Sequence, residues 1–138
     1  MIPAPEIRVR HLGDRPERTG RYVLYWMVAS RRPRWSFSLQ HAAARATSLG
    51  QPLVILEALR VGYPWASDRL HRFIIDGMRA HEAYFREKNV VYLPYLEPER
   101  GAGRGLLKAL ADDASLVVSD DYPCFFIPRM QEAAARKI

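Results

Sequence analysis

Arg31, Arg32 and Arg34, with Trp35 directly after them, form the densest cationic and aromatic group in the chain. Guanidinium and indole both present flat faces, so such a group suits an anion or a planar ring. The competing reading is a solvated loop leading into a helix whose first tryptophan is core. Glu57 closes a short apolar run, where a carboxylate at a strand's carboxyl end faces the crevice of an open α/β sheet. A simple salt bridge would employ it equally well. Asp120 and Asp121 follow another apolar run. Adjacent residues leave an extended strand on opposite sides, so the two do not serve one ion, and a turn or capping role is expected for at least one of them. Cys124, the single cysteine, lies between Pro123 and Phe125 with no histidine nearby in sequence, and a buried small hydrophobe is its expected role.

The four histidines, His11, His41, His71 and His81, show no spacing that would set two ligands on one side of a metal, so no metal is implied. His71 and His81 are ten residues apart on one expected helix, about 15 Å along its axis, and cannot share a ligand. Gly101-Ala102-Gly103-Arg104-Gly105 could bring backbone donors to a phosphate. It follows the third apolar run instead of the first, however, and its glycine spacing matches neither the dinucleotide fingerprint nor a Walker loop, so a flexible turn before a helix is the expected role. No catalytic constellation emerges.

The elements that must position these residues can be read from periodicity. Four apolar runs, 22–28, 53–56, 90–93 and 116–118, are rich in β-branched and aromatic residues and mostly lack polar alternation, as strands covered on both faces do. Between them the period becomes helical. Leu70, Phe73, Ile74, Gly77, Met78, His81 and Phe85 fall at three- and four-residue steps within 67–88, with Ser67 or Asp68 available as the cap. Trp35, Leu39, Ala42, Ala43, Ala46 and Leu49 mark a second helix that stops at Gly50 and Pro52. Leu106, Leu107 and Leu110 mark a third, and 130–136 a fourth.

This alternation predicts an α/β fold: a doubly wound, Rossmann-like parallel sheet of strand order 3-2-1-4, with room for a fifth strand and with helices on both faces. The ligand crevice of such a sheet lies at the carboxyl ends of strands 1 and 4, here 28–34 and 119–126. Residues 1–20 carry three prolines and four arginines with little apolar periodicity and read as an extended arm, leaving 21–138 as one domain.

A length of 138 residues with 49% hydrophobic content is enough for one buried core. No apolar run reaches a membrane span and no secretory signal opens the chain, so a cytoplasmic protein is expected. One cysteine excludes an internal disulfide. The net charge of +6 invites a nucleic-acid reading, but the arginines are scattered from Arg8 to Arg136 and form no single stripe.

Tyr22-Val23-Leu24-Tyr25-Trp26-Met27, an aromatic-led helix and Leu49-Gly50-Gln51-Pro52-Leu53-Val54 together resemble the start of DNA photolyases, the class II cyclobutane-dimer type in particular. The run from Asp68 through Arg72-Phe73 to Gly77-Met78 and the strand end Leu116-Val117-Val118-Ser119-Asp120-Asp121 are similar to the same domain in the same order, and Arg129 resembles an arginine of its final helix. The resemblance covers about 21–138, the N-terminal α/β domain of photolyases and cryptochromes. It departs from the class II pattern at 28–34, where Pro33 stiffens the loop, and at the bulky 122–126 segment.

The resemblance implies an antenna chromophore, 8-hydroxydeazaflavin or folate, in a crevice lined by Met27, Ala29, Arg31, Glu57, Asp120 and Asp121. It also implies a FAD-binding helical domain, absent from this chain, as a partner in cis or in trans, and DNA as a partner of the parent protein in light-dependent repair. No repair activity is expected of these residues alone. The alternative is a stand-alone nucleotide-binding or sensor protein of the same fold, against which stands the lack of a glycine-rich loop after strand 1. A purely structural docking domain is a third reading.

Overall fold

A computed structural model describes residues 4–13 and 16–138. The strands β1 (Tyr22–Met27), β2 (Leu53–Leu59), β3 (Val91–Leu96) and β4 (Ala114–Ser119) alternate with the helices α1 (Phe37–Leu49), α2 (Asp68–Arg86), α3 (Leu106–Asp112) and α4 (Ile127–Ala135). The strands form one parallel sheet in the order β3-β2-β1-β4. This is the doubly wound α/β arrangement expected from the alternation; no fifth strand joins the sheet among the described residues.

The period of two along β1 sorts its side chains between two layers. Val23, Tyr25 and Met27 pack with Leu53 and Ile55 against Ala42 and Ala46 of α1 and Phe85 of α2. Leu24 packs with Val54 and Leu56 on the other face, where Ala111 and the leucines of α3 meet it and Ile138 adds to the cluster. Alanines four residues apart let α1 lie close to the sheet. The expectation of strands buried on both faces holds for β1 and β2. It does not hold for the two edge strands: in β3 Val91 and Leu96 are each 48% exposed, and β4 is only partly buried beyond Ser115.

Helix boundaries follow capping chemistry. The Ser67 side chain accepts from Leu70 N at 3.3 Å to start α2, and Gly50, in the left-handed region at φ 62°, ends α1. The expected start of α1 at Trp35 is corrected. Ser36 is the N-cap, accepting from Leu39 N at 3.2 Å, and Trp35 stands before it in left-handed backbone, 86% exposed. The aromatic is part of the preceding turn, not of the helical stripe.

Of the expected arm, residues 1–3 and 14–15 lie outside the described residues. The remainder has one 3-10 turn, Glu6–Arg8, and is attached mainly through polar groups. Arg10 pairs with Asp121, Glu17 with Arg45, and Arg18 donates to Ala114 O at 3.0 Å and to Ala111 O. No helix among the described residues is long and apolar enough to cross a membrane.

Candidate functional site

Parallel strands deliver their following loops to one edge of the sheet, and here that edge gathers most of the residues singled out above. Asp120 leaves the end of β4 pointing inward and is 2% exposed. Its Oδ2 accepts from three successive amides of the loop after β1, those of Val28 (2.9 Å), Ala29 (2.9 Å) and Ser30 (3.1 Å), while its Oδ1 accepts from Tyr25 Oη at 2.7 Å. Converging amides of this kind form an anion cradle. Burial, with the neighbouring Asp120 carboxylate, pushes the Tyr25 phenol far above its usual range, so it stays a donor. Asp121 points the opposite way, as adjacent strand residues must, and its carboxylate meets Arg10 at 3.0 Å and 3.2 Å on the surface.

Glu57 is the second anchor. At 1% exposure it accepts from Arg31 Nη1 at 3.0 Å, His81 Nδ1 at 2.8 Å and Tyr92 Oη at 2.6 Å. Burial alone would raise its pKa, but the hydrogen bonds from His81 and Tyr92 and the charges of His81 and Arg31 outweigh that cost and hold the carboxyl below its ordinary range. Arg31 also donates through Nη2 to Ala58 O at 2.8 Å, so the loop after β1 is tied to the end of β2. Burial and the contact with Glu57 push the Tyr92 phenol far up.

A third carboxylate, not singled out from the sequence, repeats the pattern. Glu97, 5% exposed, lies just past β3 and accepts from Val61 N at 2.9 Å, Gly101 N at 3.0 Å and Gly103 N at 3.4 Å. The backbone bond from Val61, with those from Gly101 and Gly103, holds its pKa below the usual range. The glycine-rich stretch is thus a turn wrapped round the chain's own carboxylate. Its position at a strand's carboxyl end is the same signal that picked out Glu57.

The six residues named for the crevice therefore divide. Glu57 and Asp120 are buried and fully engaged, and Met27, 1% exposed, packs in the core against the α1 and α2 side. Ala29 contributes its amide to Asp120, Arg31 is 25% exposed at the edge, and Asp121 is on the surface. Around them stand exposed rings that the sequence reading gave no common role. Trp65 of the β2–α2 loop is 62% exposed and Phe125 of the β4–α4 loop 74%, and they meet edge to face with centroids 6.2 Å apart. Trp35 and Phe125 are the non-glycine residues with positive φ, at 56° and 60°, among the described residues. Left-handed backbone is costly for a bulky side chain, and at both positions it holds a ring in solvent. Cys124, in the same loop, is exposed, which corrects the expectation of a buried thiol. The whole 121–126 segment bulges outward and leaves no core position for it.

Arg32, Arg34, Arg60, Arg100 and Arg104, all exposed, stand on the loops leaving β1, β2 and β3, so the edge is cationic as well as aromatic. Arg34 lies 5.2 Å from the centroid of the Tyr84 ring. No group of three or more metal-ligating side chains occurs among the described residues.

No protein-family model matches the chain. A curated relative, a deoxyribodipyrimidine photo-lyase of Methanothermobacter thermautotrophicus (strain Delta H), is 38% identical over 114 residues, which are 82% of this chain and 25% of that protein. The chain spans about a quarter of the length of the relative it matches. By that match over most of its length, and with its sheet of order β3-β2-β1-β4, the chain is a photolyase-related α/β domain.

Proposed function

We propose that this domain binds a planar antenna chromophore, 8-hydroxydeazaflavin or folate, at the carboxyl edge of its sheet and docks on a FAD-binding helical domain in light-dependent DNA repair. The observation that carries this reading is the display of rings at the edge: Trp35 and Phe125 in left-handed backbone, with Trp65 against Phe125. Exposed aromatic faces beside arginines suit a flat, partly anionic ligand. Ala29, Arg31 and Asp121 would contact it, while Met27, Glu57 and Asp120 hold the loops that carry them. The relative's name supports the family setting, and the part of its length beyond the match is where a flavin domain and DNA contacts would belong. The class II likeness is part of the same proposal.

The test is tryptophan fluorescence during addition of each chromophore. Binding quenches Trp35 and Trp65 saturably, and Trp65→Phe reduces the quench; an unchanged emission would sink the chromophore reading. The alternative of a stand-alone nucleotide-binding protein has against it that the amides after β1 are taken by Asp120 and those of Gly101 and Gly103 by Glu97.

A further inference from the structure

We propose that Asp120 is a specificity residue: by filling the backbone anion cradle after β1 with the chain's own carboxylate, it bars phosphate-bearing ligands from the junction of β1 and β4. Open α/β sheets that hold nucleotides use the amides of the first βα turn for phosphate. Here the amides of Val28, Ala29 and Ser30 converge on the single atom Asp120 Oδ2 at 2.9, 2.9 and 3.1 Å. The other oxygen is fixed by Tyr25 Oη at 2.7 Å, and the Asp120 backbone carbonyl accepts from Gln131 Nε2 of α4. At 2% exposure, Asp120 leaves a phosphate no route to those amides. It would also oppose an incoming phosphate with like charge at short range and low dielectric.

Glu97 does the same at the other cradle of this edge, using the amides of Val61, Gly101 and Gly103. Both of these backbone cradles are closed from within. The exposed arginines still attract anions, but side chains in solvent hold them weakly and salt screens that attraction. The edge therefore selects flat ligands whose negative groups reach the arginines, and refuses those that must seat a phosphate in the turn. This goes beyond the chromophore reading and does not depend on it.

The experiment measures the thermal unfolding midpoint of the full 138-residue chain with increasing inorganic pyrophosphate at moderate salt, for the native protein, Asp120→Ala and Asp120→Asn. The native protein and Asp120→Asn, whose amide oxygen still fills the cradle, show no saturable shift. Asp120→Ala opens the cradle, and millimolar pyrophosphate raises its midpoint saturably by a few degrees. If Asp120→Ala does not fold alone, pyrophosphate restores a cooperative transition. A saturable rise in the native protein overturns the proposal, and so does an Asp120→Ala chain that pyrophosphate neither stabilises nor restores. Chromophore titrations report on the exposed rings and can fail without touching this result.

Discussion

Three buried carboxylates do most of the positioning at the carboxyl edge, and each works through hydrogen bonds the sequence shows only in part. The apolar run 53–56 has Glu57 closing a strand, whereas β2 runs on to Leu59 and holds Glu57 inside the sheet; its partnership with Arg31 matches the salt-bridge reading weighed for it. His81 and Tyr92 were not visible as its partners, because they reach it from a helix and a strand 24 and 35 residues away. Asp120 and Asp121 were legible only as a pair of which at least one would serve a turn or cap; that Asp120 is the one emerges from its cradle, which exists only once β4 lies beside β1. Because the folded Glu57 carboxyl sits below its ordinary value of 4.5, the folded state favours the ionised form. Its contribution is therefore present above that value and is lost as pH falls through the lower folded one. Unfolding midpoints measured from pH 6 to pH 3 should fall steeply for the native protein and less steeply for Glu57→Gln; equal slopes would contradict the network. Tyr92→Phe removes one hydrogen bond to a charged group and should cost about 2 kcal/mol by urea denaturation, with no loss of cooperativity.

At the scale of elements, the four strands and four helices were all legible as runs of distinct period, with Gly50 and Pro52 marking the end of α1 and Ser67 the start of α2. What periodicity could not resolve was the junctions. Trp35 fits the helical spacing of α1 but lies outside the helix, since Ser36 supplies the cap and the turn before it is left-handed. A serine three residues before Leu39 was the available signal. Cys124 was misplaced for a related reason: the loop after β4 is apolar in composition yet bulges into solvent. Gly20 illustrates a constraint on the chain's entry into β1. A Cβ there would sit 2.4 Å from Ser115 N and 2.5 Å from Ala114 C, backbone atoms that cannot swing aside. Gly20→Ala should therefore destabilise the protein by roughly 1–3 kcal/mol through forced backbone movement, seen as a lower urea midpoint at unchanged m-value. Ser67→Ala should cost about 1 kcal/mol by removing the cap of α2, measured in the same way.

For the whole molecule, fold and family were readable together. The order 3-2-1-4 follows from alternating runs and right-handed crossovers, and the photolyase likeness rested on motifs distributed along the same elements. The carboxyl edge was placed correctly as the meeting point of the loops after β1 and β4, while its character was not readable from position alone. Rings from three separate loops and arginines from three strand ends come together only in the folded chain. The central claim is that this edge receives a planar chromophore, and its most direct test is an absorption titration of the purified protein with 8-hydroxydeazaflavin and with folate, set beside ATP as a control. A saturable shift of a chromophore band, weakened at least several-fold by Arg31→Ala and undisturbed by ATP, is the predicted result. Saturable binding of ATP with no response to either chromophore would contradict it.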